Sequence, residues 1–371
     1  MNIIKLLGIG YKEDIISNLL IGLINGSEVF KNTFINKIVG IENPELYKVE
    51  TFVRVNTSKG EPDIILKIHN ESTDILAIIE NKLKAEEGYE QTKRYSDENC
   101  IRELCLKSDI NMDYENISTK FIYLTLLPEQ IPTGDMFINK TYKDILDDVN
   151  VDIESNKLDY LYKDFLSMLE DFYSGLEVNL NDSLLQVICN EPDSQKAYIK
   201  FMKIAKLLNF QGNLNISDIG KVGGTGRVSY IAKISKDTWT GSEKGILKDG
   251  CYTVNKNTYD IHLELSFDLM SKVIKLPLHY ETNPYIPKKK LESNCNLEDY
   301  EDYINARNQV VTKLHRKIDN LKDNNINSYN GSNQIASITI KLNDNTTVKE
   351  FLDAVVSYSN KIALIVDDSL E

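Results

Sequence analysis

An uninterrupted apolar run of strand length, ILAII at residues 75–79, constrains the fold of this chain most strongly. Such a run is typical of a central strand that is covered on both faces. Before it, residues 49–55 alternate between apolar and polar side chains, and a second strand is predicted at 63–68 after a turn. A further apolar run at 121–127 follows a predicted helix at 85–106. We therefore expect an α/β fold in which a helix crosses over between strands of a mixed sheet.

Helical periodicity predicts helices on both sides of this block of strands. Apolar residues recur at helical spacing over 13–25 and 28–38 before the sheet, and over 157–176 and 197–208 after it. The later pair follows the sheet block directly and precedes a polar segment at 209–227. We expect the later pair to form a helical extension and the polar segment to mark a domain boundary.

Three regions follow from this pattern. Residues 1–150 are expected to form the mixed-sheet core flanked by helices, and residues 151–210 the helical extension. Residues 211–371 are expected to form an α+β domain that serves substrate binding, sensing or dimerisation. Its predicted elements are strands at 228–234, 259–267, 273–279 and 335–342 and helices at 297–321 and 348–358.

Composition excludes several classes of protein. The chain of 371 residues has 56 acidic and 43 basic residues and a net charge of −13, so any nucleic-acid contact must come from a local basic patch. Its five cysteines are odd in number and form no Cys-x-x-Cys pair, which favours a reduced, cytoplasmic setting. No apolar run approaches the length of a membrane span, so we expect no membrane partner.

Two carboxylates and a lysine lie where neighbouring predicted strands meet. Asp63 opens one strand, and Glu80 and Lys82 end the next. The facing ends of two strands joined by a short turn lie together, so Asp63 and Glu80 are predicted to reach one divalent cation. Mg²⁺ is usually held by one or two carboxylates with waters and phosphate. Lys82 lies on the same face as Glu80, where its ammonium can orient or deprotonate a water or neutralise charge at phosphorus. The alternative is that these residues are only a turn residue and a solvated strand end.

The next helix adds Gln91 and Tyr95, four residues apart and hence on one helical face. This arrangement resembles the PD-(D/E)XK nuclease superfamily, which has the restriction-endonuclease-like fold, and in particular a bacterial branch of stand-alone members. The resemblance implies that Asp63 and Glu80 bind Mg²⁺, with Mn²⁺ able to substitute, and that Lys82 directs the water and the phosphate. It also implies that Gln91 and Tyr95 shape the site.

Residues outside the Asp-Glu-Lys set extend the resemblance. Glu13 and Ser17 on the first helix are similar to the family's acidic helix motif, so Glu13 is expected near the metal. An acidic residue in a first helical turn is also favourable for the helix dipole, which is the alternative for Glu13. Lys93 and Arg94 follow Gln91 closely and are predicted to contact phosphates.

The function that the resemblance implies is metal-dependent cleavage of DNA, as an endonuclease with a role in defence against foreign DNA. Cutting both strands would favour a homodimer. Two alternatives stay open: a DNA-binding or sensor module that does not cleave, and an RNase effector.

Three further features have interpretations of their own. The glycine-rich stretch 223–227 is expected to be a turn, because a strand follows it rather than a helix. Basic residues recur over 303–322, which is a second candidate for contact with nucleic acid. Trp239, the single tryptophan, is expected to pack at a domain edge rather than stack on a base.

Overall fold

The computed structural model describes residues 2–8, 10, 12–83, 87–128, 130–146, 157–223, 228–248, 250–329 and 333–370. The chain divides into two compact units, Met1–Glu177 and Val178–Glu371. The predicted boundaries fell near residues 150 and 210 instead. The helix expected at 197–208 lies in the second unit, as Ser194–Lys206.

The first unit is a mixed sheet flanked by helices. Its helices are α1 (Ile3–Leu6), α2 (Glu13–Gly26), α3 (Glu28–Phe34), α4 (Gln91–Tyr95), α5 (Glu98–Leu106), α6 (Lys143–Leu146) and α7 (Lys157–Tyr173). Its strands are β1 (Lys48–Val53), β2 (Ile64–His69), β3 (Asp74–Lys82), β4 (Ser118–Thr125) and β5 (Ile138–Thr141). Short turns of π-helix (Ile35–Val39) and 3-10 helix (Pro44–Leu46 and Tyr114–Asn116) complete the described elements.

The apolar run at 75–79 is the centre of this sheet, as predicted. Among the described residues the strand order is β1-β2-β3-β4-β5. Strands β1, β2 and β3 pair antiparallel, whereas β4 runs parallel to β3 and β5 runs parallel to β4. The parallel β3–β4 pair requires a crossover, and α4 and α5 lie in that connection.

Both faces of β3 are covered, which explains why its sequence does not alternate. On one face, Leu76 and Ile78 belong to a core that includes Leu104 of α5 and Tyr95 of α4. On the other side of the sheet, α2 contacts β1, β3 and α7. Aromatic side chains join the helices there, with Phe30 of α3 edge-on to Tyr162 of α7 at 4.9 Å between ring centroids.

The single helix predicted at 85–106 is wrong. The structure has two helices, α4 and α5, and residues 84–86 lie outside the described part of the chain. Glu90 precedes α4 with φ of 44°, a left-handed conformation that no helix interior contains. Asp97 then begins α5 as its N-cap, because its side chain accepts from the backbone N–H of Asn99 at 3.0 Å.

The second unit is built on a larger antiparallel sheet. Its helices are α8 (Leu184–Ile188), α9 (Ser194–Lys206), α10 (Lys288–Asn294), α11 (Leu297–Asn320) and α12 (Val348–Leu370), with a 3-10 turn at Asp237–Trp239. Its strands are β6 (Asn215–Val222), β7 (Ser229–Ser235), β8 (Ile246–Lys248), β9 (Cys251–Thr253), β10 (Asp260–Asp268), β11 (Val273–Glu281), β12 (Ile326–Ser328) and β13 (Gln334–Lys341). The main sheet has the order β12-β13-β11-β10-β7-β6 among the described residues, and β8 and β9 form a separate hairpin.

Two predictions for this unit need correction. The polar segment at 209–227 is not only a linker, because residues 215–222 form the edge strand β6, which packs with α9. Residues 224–227 of the glycine-rich stretch lie outside the described residues. Helix α12 continues beyond the expected end at 358 to Leu370, because Ile362, Ala363 and Val366 extend its buried stripe.

Candidate active site

The antiparallel pairing of β2 with β3 brings Asp63 and Glu80 together. Ile64 lies opposite Ile79 in this antiparallel pair. Asp63, which precedes Ile64, and Glu80, which follows Ile79, therefore meet at the same end of the two strands. Asp63 precedes β2, and its Oδ2 accepts a hydrogen bond from the backbone N–H of Asn81 at 2.8 Å. This bond fixes the Asp63 carboxyl group over the end of β3.

Glu80 is a fully buried carboxyl group that the described residues do not fully satisfy. Its exposed fraction is 0%. The ammonium nitrogen of Lys82 lies 2.6 Å from Glu80 Oε1, as an ion pair outside hydrogen-bond alignment. The other oxygen, Oε2, is buried and has no hydrogen-bond partner among the described residues. Buried polar atoms are almost always paired, so an oxygen of this kind is a candidate ligand for a cation.

The proximity of the two carboxyl groups shifts their titration. Burial raises the pKa of Glu80 to about 8, and the neighbouring charge of Asp63 contributes to that rise. Burial also raises the pKa of Asp63, against the hydrogen bond from Asn81 and the charge of Lys82. Without a cation, the pair therefore retains a proton at neutral pH, in the place where a divalent ion would compensate both charges.

Lys82 remains an ammonium in this setting. Burial alone would lower the pKa of Lys82, but the charges of Glu80 and Asp63 outweigh it and raise that pKa above its ordinary value. Of the roles predicted for this side chain, deprotonating a water is therefore disfavoured in the metal-free protein. Orienting the water and neutralising charge on a phosphate both use the charged form.

Glu13 reaches this end of the sheet from helix α2. Its Oε1 accepts from the backbone N–H of Leu83 at 3.0 Å, just beyond β3. The charge of Glu13 contributes to the raised pKa of both Asp63 and Glu80, so the residue lies within electrostatic range of the pair. Glu13 therefore lies near Asp63 and Glu80, but the three carboxylates do not form one metal-binding group among the described residues.

A buried hydrogen-bond network fixes α2 against β3, and its central residue was not predicted as part of the site. Asn81 is fully buried and points away from Glu80, toward α2. Its Nδ2 donates to Ser17 Oγ at 2.9 Å, and its Oδ1 accepts from the Tyr142 hydroxyl at 2.5 Å. A polar residue between Glu80 and Lys82 in an otherwise apolar strand is the sequence signal that could have indicated it.

Gln91 and Tyr95 lie together on α4. Gln91 Nε2 donates to the Tyr95 hydroxyl at 3.0 Å, and Gln91 Oε1 accepts from the backbone N–H of Gly88 at 3.1 Å. Tyr95 is 2% exposed. Burial raises its pKa, and the charges of Glu80 and Asp63 raise it further, so its hydroxyl stays protonated beside the carboxylates.

The two predicted phosphate contacts both have partners within the protein. Lys93 is exposed and lies 3.2 Å from Glu90 Oε1. Arg94 donates from Nη1 to the backbone carbonyl of Lys59 at 2.8 Å, which ties α4 to the turn before β2. Exposed ion pairs are weak, so Glu90 holds Lys93 only loosely, whereas the bond of Arg94 to Lys59 is structural.

Glu50, Trp239 and part of helix α11 have partners within the protein. Glu50 is exposed and pairs with Lys67 and His69 across the β1–β2 pair, each at 3.2 Å. In the second unit, Trp239 is fully buried, as expected, and its Nε1 donates to Asp367 at 2.8 Å. The C-terminal half of helix α11 is basic, and it directs Lys317 onto Asp368 of α12, so part of that charge is already neutralised.

The donor set fits one hard cation held by few protein ligands. Within the described residues, no three His, Cys, Asp or Glu side chains form a group that could hold a metal ion. Mg²⁺ does not need such a cage, because waters and substrate phosphates usually complete its six ligands. Asp63 and Glu80, with the unpaired Oε2, would supply the two carboxylates for such coordination.

Comparisons with known proteins identify no relative of this chain. No family model matches the chain, and no match is found among curated proteins or among solved structures. No helix in the described part of the chain is long and apolar enough to cross a membrane.

Proposed function

We propose that this protein is a metal-dependent nuclease that hydrolyses phosphodiester bonds in DNA. The observation that carries the proposal is the Asp63–Glu80 pair, in which Glu80 is buried with an unpaired carboxylate oxygen and lies in contact with a charged Lys82. Supporting it, the acidic helix residue, the carboxylate pair and the Gln91–Tyr95 helix follow one another in the order that resembles PD-(D/E)XK nucleases.

Each side chain has a distinct task in this proposal. Bound Mg²⁺ or Mn²⁺ would supply Lewis-acid polarisation of the phosphate and a water of lowered pKa. Asp63 and Glu80 hold the cation, and Glu13 adds negative charge that favours it. Lys82 places a positive charge where negative charge develops on the phosphate oxygens. Gln91 and Tyr95, which are hydrogen-bonded to each other, shape the site next to the carboxylates.

DNA is the substrate that we favour, with Lys93 contacting its backbone. Endonucleolytic cutting of both strands would use two copies of the chain, which is the dimer that we propose. Defence against foreign DNA is a role consistent with such an activity.

The decisive test is cleavage of supercoiled plasmid with Mg²⁺, with Mn²⁺ and with EDTA. Wild-type protein is compared with Asp63→Ala, Asp63→Asn and Asp74→Asn. Asp74 lies at the opposite end of β3 and is half-buried like Asp63, so it controls for the loss of a carboxylate from the same sheet. Asp63→Asn keeps an acceptor for the Asn81 N–H, which separates chemistry from folding.

We expect metal-dependent nicking or linearisation that both Asp63 variants lose and Asp74→Asn retains. Linear DNA, single-stranded DNA and RNA are tested in parallel, and cleavage of RNA alone would replace DNA by RNA as the substrate. No cleavage of any of these, together with no Mg²⁺ binding that depends on Asp63, would contradict the proposal and leave a binding module.

A further inference from the structure

The second unit contains a cavity of about 200 Å³ between helices α10 and α11 and the end of β11. One face of α11 supplies half of its walls, because the lining positions recur at intervals of three and four residues. Those positions are Tyr300, Tyr303, Ile304, Arg307 and Asn308. The cavity lies within one unit, far in sequence from the carboxylate pair.

The charged side chains that line this cavity are basic. The charged residues that line it, Arg307 and Lys288, are both basic, although the chain has 56 acidic and only 43 basic residues. The Arg307 guanidinium lies 5.8 Å from the Tyr280 ring centroid, which helps to fix its position. Glu292 lies 3.7 Å from Lys288 and accepts from the Tyr300 hydroxyl at 3.1 Å, but Glu292 and Lys288 are exposed, so that ion pair is weak.

The remaining walls suit a flat ring with polar edges. Tyr303, Leu291 and Ile286 are buried at 3%, 3% and 6% exposure and form an apolar floor. Asn308 and Asn333 add side-chain amides, each of which offers both donors and an acceptor. Nucleobases present such alternating donors and acceptors along their edges, and tyrosine rings stack on their faces.

We propose that this cavity binds a nucleoside monophosphate, with the base against Tyr300 and Tyr303 and the phosphate at Arg307 and Lys288. Two cations match the double charge of a terminal phosphate better than the single charge of a carboxylate. The cavity is smaller than the roughly 300–1,000 Å³ of typical ligand pockets. It therefore accommodates one base with the phosphate at its mouth and excludes a dinucleotide. The proposed nuclease activity is not required for this binding.

Isothermal titration calorimetry of the full chain with AMP, GMP, CMP and UMP tests the proposal. EDTA in the buffer keeps the carboxylate site of the first unit out of the measurement. Adenosine, guanosine, cytidine, uridine and inorganic phosphate are titrated separately, so that the base and the phosphate are probed apart. We expect at least one monophosphate to bind with a Kd below about 100 μM, and both its nucleoside and phosphate to bind at least about tenfold more weakly.

Two variants and a control locate the binding. Arg307→Ala removes the central cation, and Asn308→Asp adds a negative charge at an exposed position that folding tolerates. Each is expected to weaken monophosphate binding about tenfold or more, whereas Arg316→Ala, an exposed arginine elsewhere on α11, leaves it unchanged. Failure of all four monophosphates to bind below about 1 mM would overturn the proposal. So would equal affinity for inorganic phosphate, or unchanged affinity in both Arg307→Ala and Asn308→Asp.

Discussion

At the scale of single residues, Lys82 is where the electrostatics of the candidate site can be tested most directly. Its ammonium contacts Glu80 at 2.6 Å, and the raised pKa keeps it charged. If the ammonium is removed, Glu80 can take up a proton and become neutral, because its pKa is raised. Loss of Lys82 therefore need not leave a buried unpaired charge that would unfold the protein.

We therefore expect Lys82→Ala to reduce the cleavage rate by about 100-fold or more while the protein still folds and binds Mg²⁺. Plasmid cleavage, a melting curve and a Mg²⁺ titration measure the three properties. Lys67→Ala is the matched control, because Lys67 is a partly buried lysine on neighbouring β2 that pairs with Glu50 instead. Full activity in Lys82→Ala would remove this residue from the proposed mechanism.

The buried carboxyl group of Glu80 predicts a pH dependence of stability in the absence of metal. Its pKa is about 8 in the folded protein against an ordinary value of 4.5, so between these values the folded state keeps a proton that the unfolded state releases. The unfolded state then binds fewer protons, and the free energy of unfolding falls as pH rises from about 4.5 to 8.

Glu80→Gln removes this dependence, because the amide has a similar shape and does not titrate. We expect the metal-free variant to exceed wild type in free energy of unfolding by about 1–4 kcal/mol at pH 8, with the difference shrinking toward pH 5. Urea unfolding in EDTA at several pH values measures it, with the exposed Glu42→Gln as control. A difference that does not change with pH would show that Glu80 is not the titrating group.

At the scale of elements, the site depends on how α2 and α6 hold β3. Tyr142 precedes α6 and donates to Asn81 Oδ1 at 2.5 Å, deep in the protein. Asn81 in turn donates to Ser17 of α2, and Glu13 one turn earlier accepts from Leu83. This chain of bonds connects three elements at the end where Asp63 and Glu80 meet.

Tyr142→Phe is expected to lower the free energy of unfolding by about 1–3 kcal/mol, because it leaves the buried Asn81 oxygen without a donor. Urea denaturation measures the loss. Tyr173→Phe is the control, since that hydroxyl donates to the backbone carbonyl of Leu126 at 2.8 Å rather than to Asn81. If Tyr142→Phe is as stable as wild type, the network does not hold the site together.

The same elements show what the sequence can predict and where it stops. The buried strand β3 was predictable because its apolar run is continuous. The positions of Asp63, Glu80 and Lys82 at strand ends were predictable because each residue lies next to an apolar run. The late start of α4 was not predictable, since it depends on the left-handed Glu90, and neither was the break between α4 and α5, which depends on the Asp97 cap. Apolar periodicity alone continues through both residues.

Two other features, strand β6 and the role of Asn81, could not be predicted from the sequence for different reasons. Strand β6 is an edge strand with a single buried residue, and its register shifts between Ser217 and Gly220, so it has no apolar pattern to detect. The role of Asn81 was also hidden, because its partners Ser17 and Tyr142 are 64 and 61 residues away in sequence. Only the tertiary structure brings them together.

At the scale of the whole molecule, the division into two compact units has a thermodynamic consequence. Each unit buries its own apolar core, and only the first contains the proposed cation site. A ligand stabilises the cooperative unit that binds it, by about 2.7 kcal/mol at one hundred times its Kd. Trp239, the single tryptophan, is fully buried in the second unit and therefore reports on that unit alone.

We expect Mg²⁺ to raise the midpoint of one transition in scanning calorimetry and to leave the midpoint seen by tryptophan fluorescence unchanged. Each unit should unfold as its own cooperative domain, because a compact single domain with its own core generally unfolds cooperatively. Asp63→Ala should abolish the Mg²⁺ shift without moving the fluorescence transition. An equal shift of both signals would mean that the two units unfold as one, whereas a shift of the fluorescence signal alone would place the cation in the second unit.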